Sequence, residues 1–172
     1  GISKVAGYQR TRNYREKNNL FACSGILFNH ESPRRGFEFV TRKISSTVAK
    51  IKLGLESEII LGNIESRRDW GYSGDYIKAM HAMLQNDIPD DYVVASGITH
   101  SVKEFLEVAF LEVGLQYQDY LIIDERFYRP TEEVTLLGNA KKANDVLNWF
   151  PEVTFEELVA MMVRADMRYY SK

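Results

Sequence analysis

The stretch Leu20-Phe-Ala-Cys-Ser-Gly-Ile-Leu-Phe-Asn-His-Glu-Ser-Pro-Arg-Arg-Gly36 changes character at its middle. Leu20 to Phe28 is a short apolar run, the pattern of a parallel strand buried on both faces. Asn29 and His30 end that strand. Pro33 and Gly36 then break regular structure, and Val40, Ile44, Val48 and Ile51 recur at helical spacing. Strand, loop and helix make the unit of an α/β fold, and the strand end is where such sheets bind ligands. The loop and the helix that follows carry Arg34, Arg35, Arg42 and Lys43. Fixed positive charge at a helix start suits a multiply charged anion.

The same alternation extends in both directions. Residues 1–18 are polar with sparse apolar positions and read as a helix. Downstream, Gly54 closes the helix from Val40. Ile59-Ile60-Leu61 is a short strand ahead of a Gly62-Asn63 turn, and Tyr76, Met80, Met83 and Leu84 mark a helix stopped near Pro89. Tyr92 to Ala95 and Leu121 to Ile123 read as strands, and Asn139 to Leu147 as a helix. Ser101-Val-Lys-Glu104 and Thr154-Phe-Glu-Glu157 are capping boxes, each opening a helix. No repeat or flexible linker interrupts the pattern. The 172 residues suffice for a sizeable core.

Composition narrows the function classes. The net charge is −2, so the basic loop is not the by-product of a basic protein. Nucleic-acid binding needs a broad basic face, which this balance argues against. No apolar run approaches the ~20 residues that span a bilayer. One cysteine, Cys23, makes no internal disulfide, and three scattered histidines give no metal-ligand spacing. A reducing cytoplasm is the expected setting.

Six segments carry a resemblance. They are Gly1-x-x-Lys4, Gly25-Ile-Leu-Phe-Asn-His-Glu-Ser-Pro-Arg-Arg-Gly36, Phe39-Val-Thr-Arg-Lys43, Arg68-Asp-Trp-Gly71, His100-Ser-Val-x-Glu-Phe105 and Tyr128-Arg-Pro-Thr-Glu132. Together they resemble the GDP-mannose 4,6-dehydratase family of extended short-chain dehydrogenases/reductases, from Gly1 to about Asp166. The resemblance implies an α/β fold that is the C-terminal part of a Rossmann-type enzyme. Residues 1–28 would be the last part of the NADP-binding domain, its N-terminal portion absent. Residues 29–172 would form mainly the GDP-sugar domain. The implied activity is that of a lyase, converting GDP-mannose to GDP-4-dehydro-6-deoxymannose on the way to GDP-fucose. The hexose is oxidised at C4, water leaves across C5 and C6, and the hydride returns to C6. A GDP-4-keto-6-deoxymannose reductase or a non-catalytic GDP-sugar-binding module stands as the alternative.

The resemblance also distributes roles. Lys4 matches the lysine of Tyr-x-x-x-Lys, whose charge lowers the tyrosine pKa so that it can act as a base. That tyrosine would fall immediately before Gly1, so this chain by itself is not expected to catalyse the reaction. Lys4, His30 and Arg35 would meet NADP. Asn29, Val40, Lys43, Arg68, Arg129 and Glu132 would meet GDP-mannose, the two arginines at its diphosphate and Glu132 at the ribose hydroxyls. From residue pattern alone Lys4 reads as a solvated surface lysine, whereas His30 is equally a strand-end cap and Val40 equally a core residue. Family members are dimers or tetramers, so a homodimer or homotetramer is expected. No metal, nucleic acid or membrane is implied.

Overall fold

The structure, a computed structural model, describes residues 1–128 and 136–172. Helix α1 (Ile2–Asn18) leads into strands β1 (Ser24–Leu27) and β2 (Asn29–Glu31), then helix α2 (Val40–Lys52). Strands β3 (Ile59–Leu61) and β4 (Arg67–Tyr72) precede helix α3 (Ser73–Gln85), strands β5 (Asp91–Val94) and β6 (Thr99–Ser101), and helix α4 (Val102–Glu112). Strand β7 (Leu121–Ile123), a 3₁₀ turn at Glu125–Phe127, and helices α5 (Lys141–Leu147) and α6 (Phe155–Tyr170) complete the chain.

Among the described residues the strands form three small sheets. β1 pairs with β5, β2 with β4 and β3 with β7, all parallel; β6 adds to β4 antiparallel. Such pairs cannot be closed by tight hairpins, so helices make the connections. The apolar run from Leu20 does not continue through His30 as one strand. It breaks at Phe28, whose amide donates to the Val94 carbonyl, and the chain changes sheets. Asn29 and His30 therefore open β2 rather than end β1.

Two apolar clusters hold the fold. α2, α4 and α6 pack together over β3 and β4, burying Ile44, Val48, Phe105, Phe110, Leu158 and Met162. Trp70 of β4 joins them, stacked with Phe155 at 6.2 Å and edge-on to Phe105 at 5.7 Å. The second cluster sets Tyr76, Met83, Tyr92, Val94 and Trp149 against β1 and α5. Thr154 caps α6 in a complete capping box with Glu157. Ser101 caps α4 by accepting from the Glu104 amide, but the Glu104 carboxylate turns away to Arg67 and His100, so that box is half made. His100 lies in β6, not in a helix start, and stacks flat on Phe155 at 3.8 Å.

Buried acids tie the segments around β4. Asp69, 1% exposed, accepts from the Ser96 amide and hydroxyl and from the amides of Gly97 and Gly138, at 2.6 to 3.1 Å. Four donors on one carboxylate compensate its burial and lock the chain that follows β5 against β4.

Candidate functional site

The end of β2, the loop after it, the first turn of α2, the turn after β3 and the strand β4 converge on a cleft of about 470 Å³. Asn29, Arg35, Val40, Lys43 and Arg68 all line it. Five of the residues expected from sequence thus meet in one place, although Asn29 and Arg68 are far apart along the chain. The parallel pairing of β2 with β4 brings them together, setting Asn29 beside Trp70.

Each cation is held differently. Arg35 stands over the Phe39 ring, its Cζ 3.6 Å from the centroid, with Nε 3.2 Å from the Glu31 carboxylate. Lys43 Nζ donates to the Ile60 carbonyl at 2.7 Å and stands 5.1 Å from the centre of the Phe127 ring. An ammonium has three donors, so the Ile60 bond leaves two for a ligand. Arg68 donates to the Arg67 carbonyl at 2.7 Å. Between these groups opens the N-terminus of α2, which has no side-chain cap and no acid in its first turn. Its first amides and helix dipole add to the positive field.

Arg42, for which the sequence suggests no role, anchors the loop. It is buried, donates to the carbonyls of Pro33 and Arg35, and pairs with Asp166 of α6 at 2.7 Å. The wall it supports includes Glu31, which the sequence reading passed over. Period-two alternation along β2 was the available signal: Asn29 and Glu31 line the cleft, and His30 between them does not. Burial pushes the Glu31 carboxyl above its usual range, against the opposing hydrogen bond from Thr41 and the charge of Arg35.

The remaining expected residues lie elsewhere. His30 sits beside the Tyr76 ring at 5.2 Å, its Nδ1 2.9 Å from the Phe28 carbonyl. Lys4 is exposed on the first turn of α1, a helix with no buried residue, and does not line the cleft. Arg129 and Glu132 fall outside the described residues. Among the described residues, no group of three or more His, Cys, Asp and Glu side chains could hold a metal ion. No helix there is long and apolar enough to cross a membrane.

The sequence model of the GDP-mannose 4,6 dehydratase family matches residues 1–162. The chain belongs to the GDP-mannose 4,6-dehydratase family. Among named relatives, GDP-mannose 4,6 dehydratase 1 of Arabidopsis thaliana is 56% identical over 165 residues, covering 96% of this chain and 46% of that protein. The Homo sapiens GDP-mannose 4,6 dehydratase is 48% identical, with 97% and 50% covered. That of Yersinia enterocolitica is 41% identical, with 97% and 52% covered. The chain spans about half the length of the curated relatives it matches. Among solved structures, RMD from Pseudomonas aeruginosa complexed with NADPH superposes with a TM-score of 0.90 at 20% identity, over 98% of this chain and 56% of that one. A dTDP-glucose 4,6-dehydratase from Bacillus anthracis in complex with NAD gives 0.82 at 18% identity, over 99% and 52%. The dehydratase-family chain thus shares the α/β fold of these NADPH- and NAD-bound structures.

Proposed function

We propose that the intact protein to which this chain belongs is a GDP-mannose 4,6-dehydratase. It is a lyase that forms GDP-4-dehydro-6-deoxymannose, and this chain supplies the cleft for the substrate diphosphate. One observation carries the reading: Arg35, Lys43 and Arg68 share a cleft with the uncapped N-terminus of α2. Two linked phosphates present several anionic oxygens, and the Arg68 guanidinium fork, the Lys43 ammonium and the first helix amides match them. Asn29 offers a neutral donor and acceptor at the same wall. Val40 and Trp70 supply an apolar surface.

The residues present also fit a nicotinamide dinucleotide phosphate. NADP, when bound, supplies reversible hydride transfer. His30 has Nδ1 engaged by the Phe28 carbonyl, which orients the ring and leaves Nε2 for a contact. Arg35 would meet a cofactor phosphate. Lys4, exposed on α1, suits the lysine that lowers the pKa of a neighbouring tyrosine. On this reading residues 1–28 belong to the cofactor domain and residues 29–172 mainly to the substrate domain. Arg129 and Glu132 would complete the substrate site, and the enzyme would work in the cytoplasm as a homodimer or homotetramer.

Titration calorimetry of the intact protein tests the cleft. Lys43→Met should weaken GDP and GDP-mannose about 10-fold or more, the loss of a hydrogen bond to a charged group. Unchanged affinity for both would overturn the assignment. Incubation with GDP-mannose should yield the 4-keto product without added NADP being consumed; no reaction with GDP-mannose, but reduction of supplied GDP-4-keto-6-deoxymannose at the expense of NADPH, would assign a reductase instead.

A further inference from the structure

Among the described residues, two acids line the cleft: Glu38 is exposed, while Glu31 is 1% exposed. A negative charge beside an anion site opposes binding by Coulomb's law, and burying a carboxylate is costly in itself. Its retention needs another reason, and its partners supply one. The Glu31 carboxylate accepts from Thr41 Oγ1 at 2.7 Å, and Thr41 is buried in the first turn of α2. The Glu31 backbone carbonyl accepts from Ser73 Oγ at 3.0 Å. The acid is therefore fixed at both ends, and it faces Arg35.

Arg35 Nε is buried and makes no hydrogen bond, so its 3.2 Å approach to Glu31 is an off-axis charge pair. The guanidinium carbon stands over the Phe39 ring. With Nε turned to Glu31 and Cζ over the ring, the two terminal amino groups of the fork remain for the cleft. An unrestrained arginine would lose much rotamer freedom on clamping a phosphate. An arginine already held loses less.

We infer that Glu31 is a positioning residue: clamped by Thr41, it fixes the Arg35 guanidinium so that its free end meets an anionic group of the bound nucleotide. This rests on the proposed reading of the cleft as a site for nucleotide phosphates. The phosphate could belong to the GDP moiety or to the dinucleotide cofactor, and the test separates them.

The experiment measures Kd for GDP and for NADPH separately in the intact protein, for wild type, Arg35→Ala, Glu31→Gln and the double variant. Arg35→Ala should weaken one of the two ligands about 10-fold or more. Glu31→Gln should weaken that same ligand about 5-fold and leave the other within about 2-fold. In the Arg35→Ala background Glu31→Gln should add nothing. A merely structural role would instead move both ligands and persist in that background. Thr41→Val, which frees the carboxylate without removing its charge, should give a smaller loss of the same kind, and it decides the matter if Glu31→Gln does not fold. Unchanged or tighter binding in Glu31→Gln, with Arg35→Ala still damaging, overturns the inference and leaves the cleft reading intact. No effect of Arg35→Ala on either ligand also overturns it. A wild-type protein that binds no GDP overturns the cleft reading itself.

Discussion

Arg42 and Asp166 form a buried ion pair, Nη2 to Oδ1 2.7 Å, that joins the second helix to the last. The other Asp166 oxygen accepts from Ser45 Oγ at 2.7 Å, so the carboxylate is satisfied on both sides. Arg42 carries the connection onward to the Pro33 and Arg35 carbonyls. The cleft loop is thus fastened to a helix that contributes nothing to the cleft lining.

Removing one partner of this pair strands the other. Asp166→Ala should cost about 3–5 kcal/mol in urea unfolding, because it leaves a buried guanidinium without its counter-charge. It should also weaken GDP, since the loop loses its fastening. Replacing both residues, as in Arg42→Met with Asp166→Leu, should recover stability but not GDP affinity. A cost below about 1 kcal/mol for Asp166→Ala would show the pair to be irrelevant.

Arg15 and Asp91 predict a pH dependence. Arg15 donates both terminal nitrogens to the Asp91 carboxylate at 2.7 and 2.8 Å, tying α1 to the β1–β5 pair. The hydrogen-bonded guanidinium lowers the Asp91 carboxyl from 3.8 to about 2. A lowered carboxyl contributes stability above its unfolded pKa and loses it as pH falls towards the folded value. About 2 kcal/mol should be present above pH ~4 and disappear between there and pH ~2. Urea unfolding of wild type and Asp91→Asn should differ by that amount at pH 6 and converge near pH 2. A constant gap would rule out the linkage.

Gly62 sits where a side chain has no room. A Cβ there would come within 2.6 Å of the Phe127 carbonyl oxygen and 2.8 Å of its carbon, backbone atoms that cannot rotate aside. Gly62→Ala should displace the 3₁₀ turn at Glu125–Phe127, and with it the ring beside Lys43. The expected result is a stability loss of about 1–2 kcal/mol with GDP weakened several-fold. Wild-type affinity for GDP in this variant would mean that Phe127 is not part of the site.

Much of the fold was legible because its helices announce themselves. The spacing of Val40, Ile44, Val48 and Ile51 marks the core face of α2, and Gly54 and Gly114 take the left-handed backbone that ends α2 and α4. The sheet of β2, β4 and β6 was not legible. Arg67-Arg68-Asp69 has the composition of a solvated loop, yet it forms β4, because Asp69 finds its four donors only after Ser96, Gly97 and Gly138 fold against it. Local propensity loses to such long-range pairing. The cleft divides the same way. Arg35, Lys43 and Arg68 stand in recognisable motifs, and their charges suggest a ligand. The Glu31–Thr41 contact joins a strand end to a helix start, and nothing in either segment names the other.

The parallel ladders set how this protein comes into being. Ser24 binds Asp91 across 67 positions of chain, and Arg42 meets Asp166 across 124. Ladders that close long loops form slowly, because the entropy of closure is lost before any contact compensates it. On the ribosome, Arg42 emerges long before the helix that neutralises it. The nascent chain therefore passes through a stage with open strand edges and an unmatched cation, and chaperone dependence during synthesis is the expected consequence.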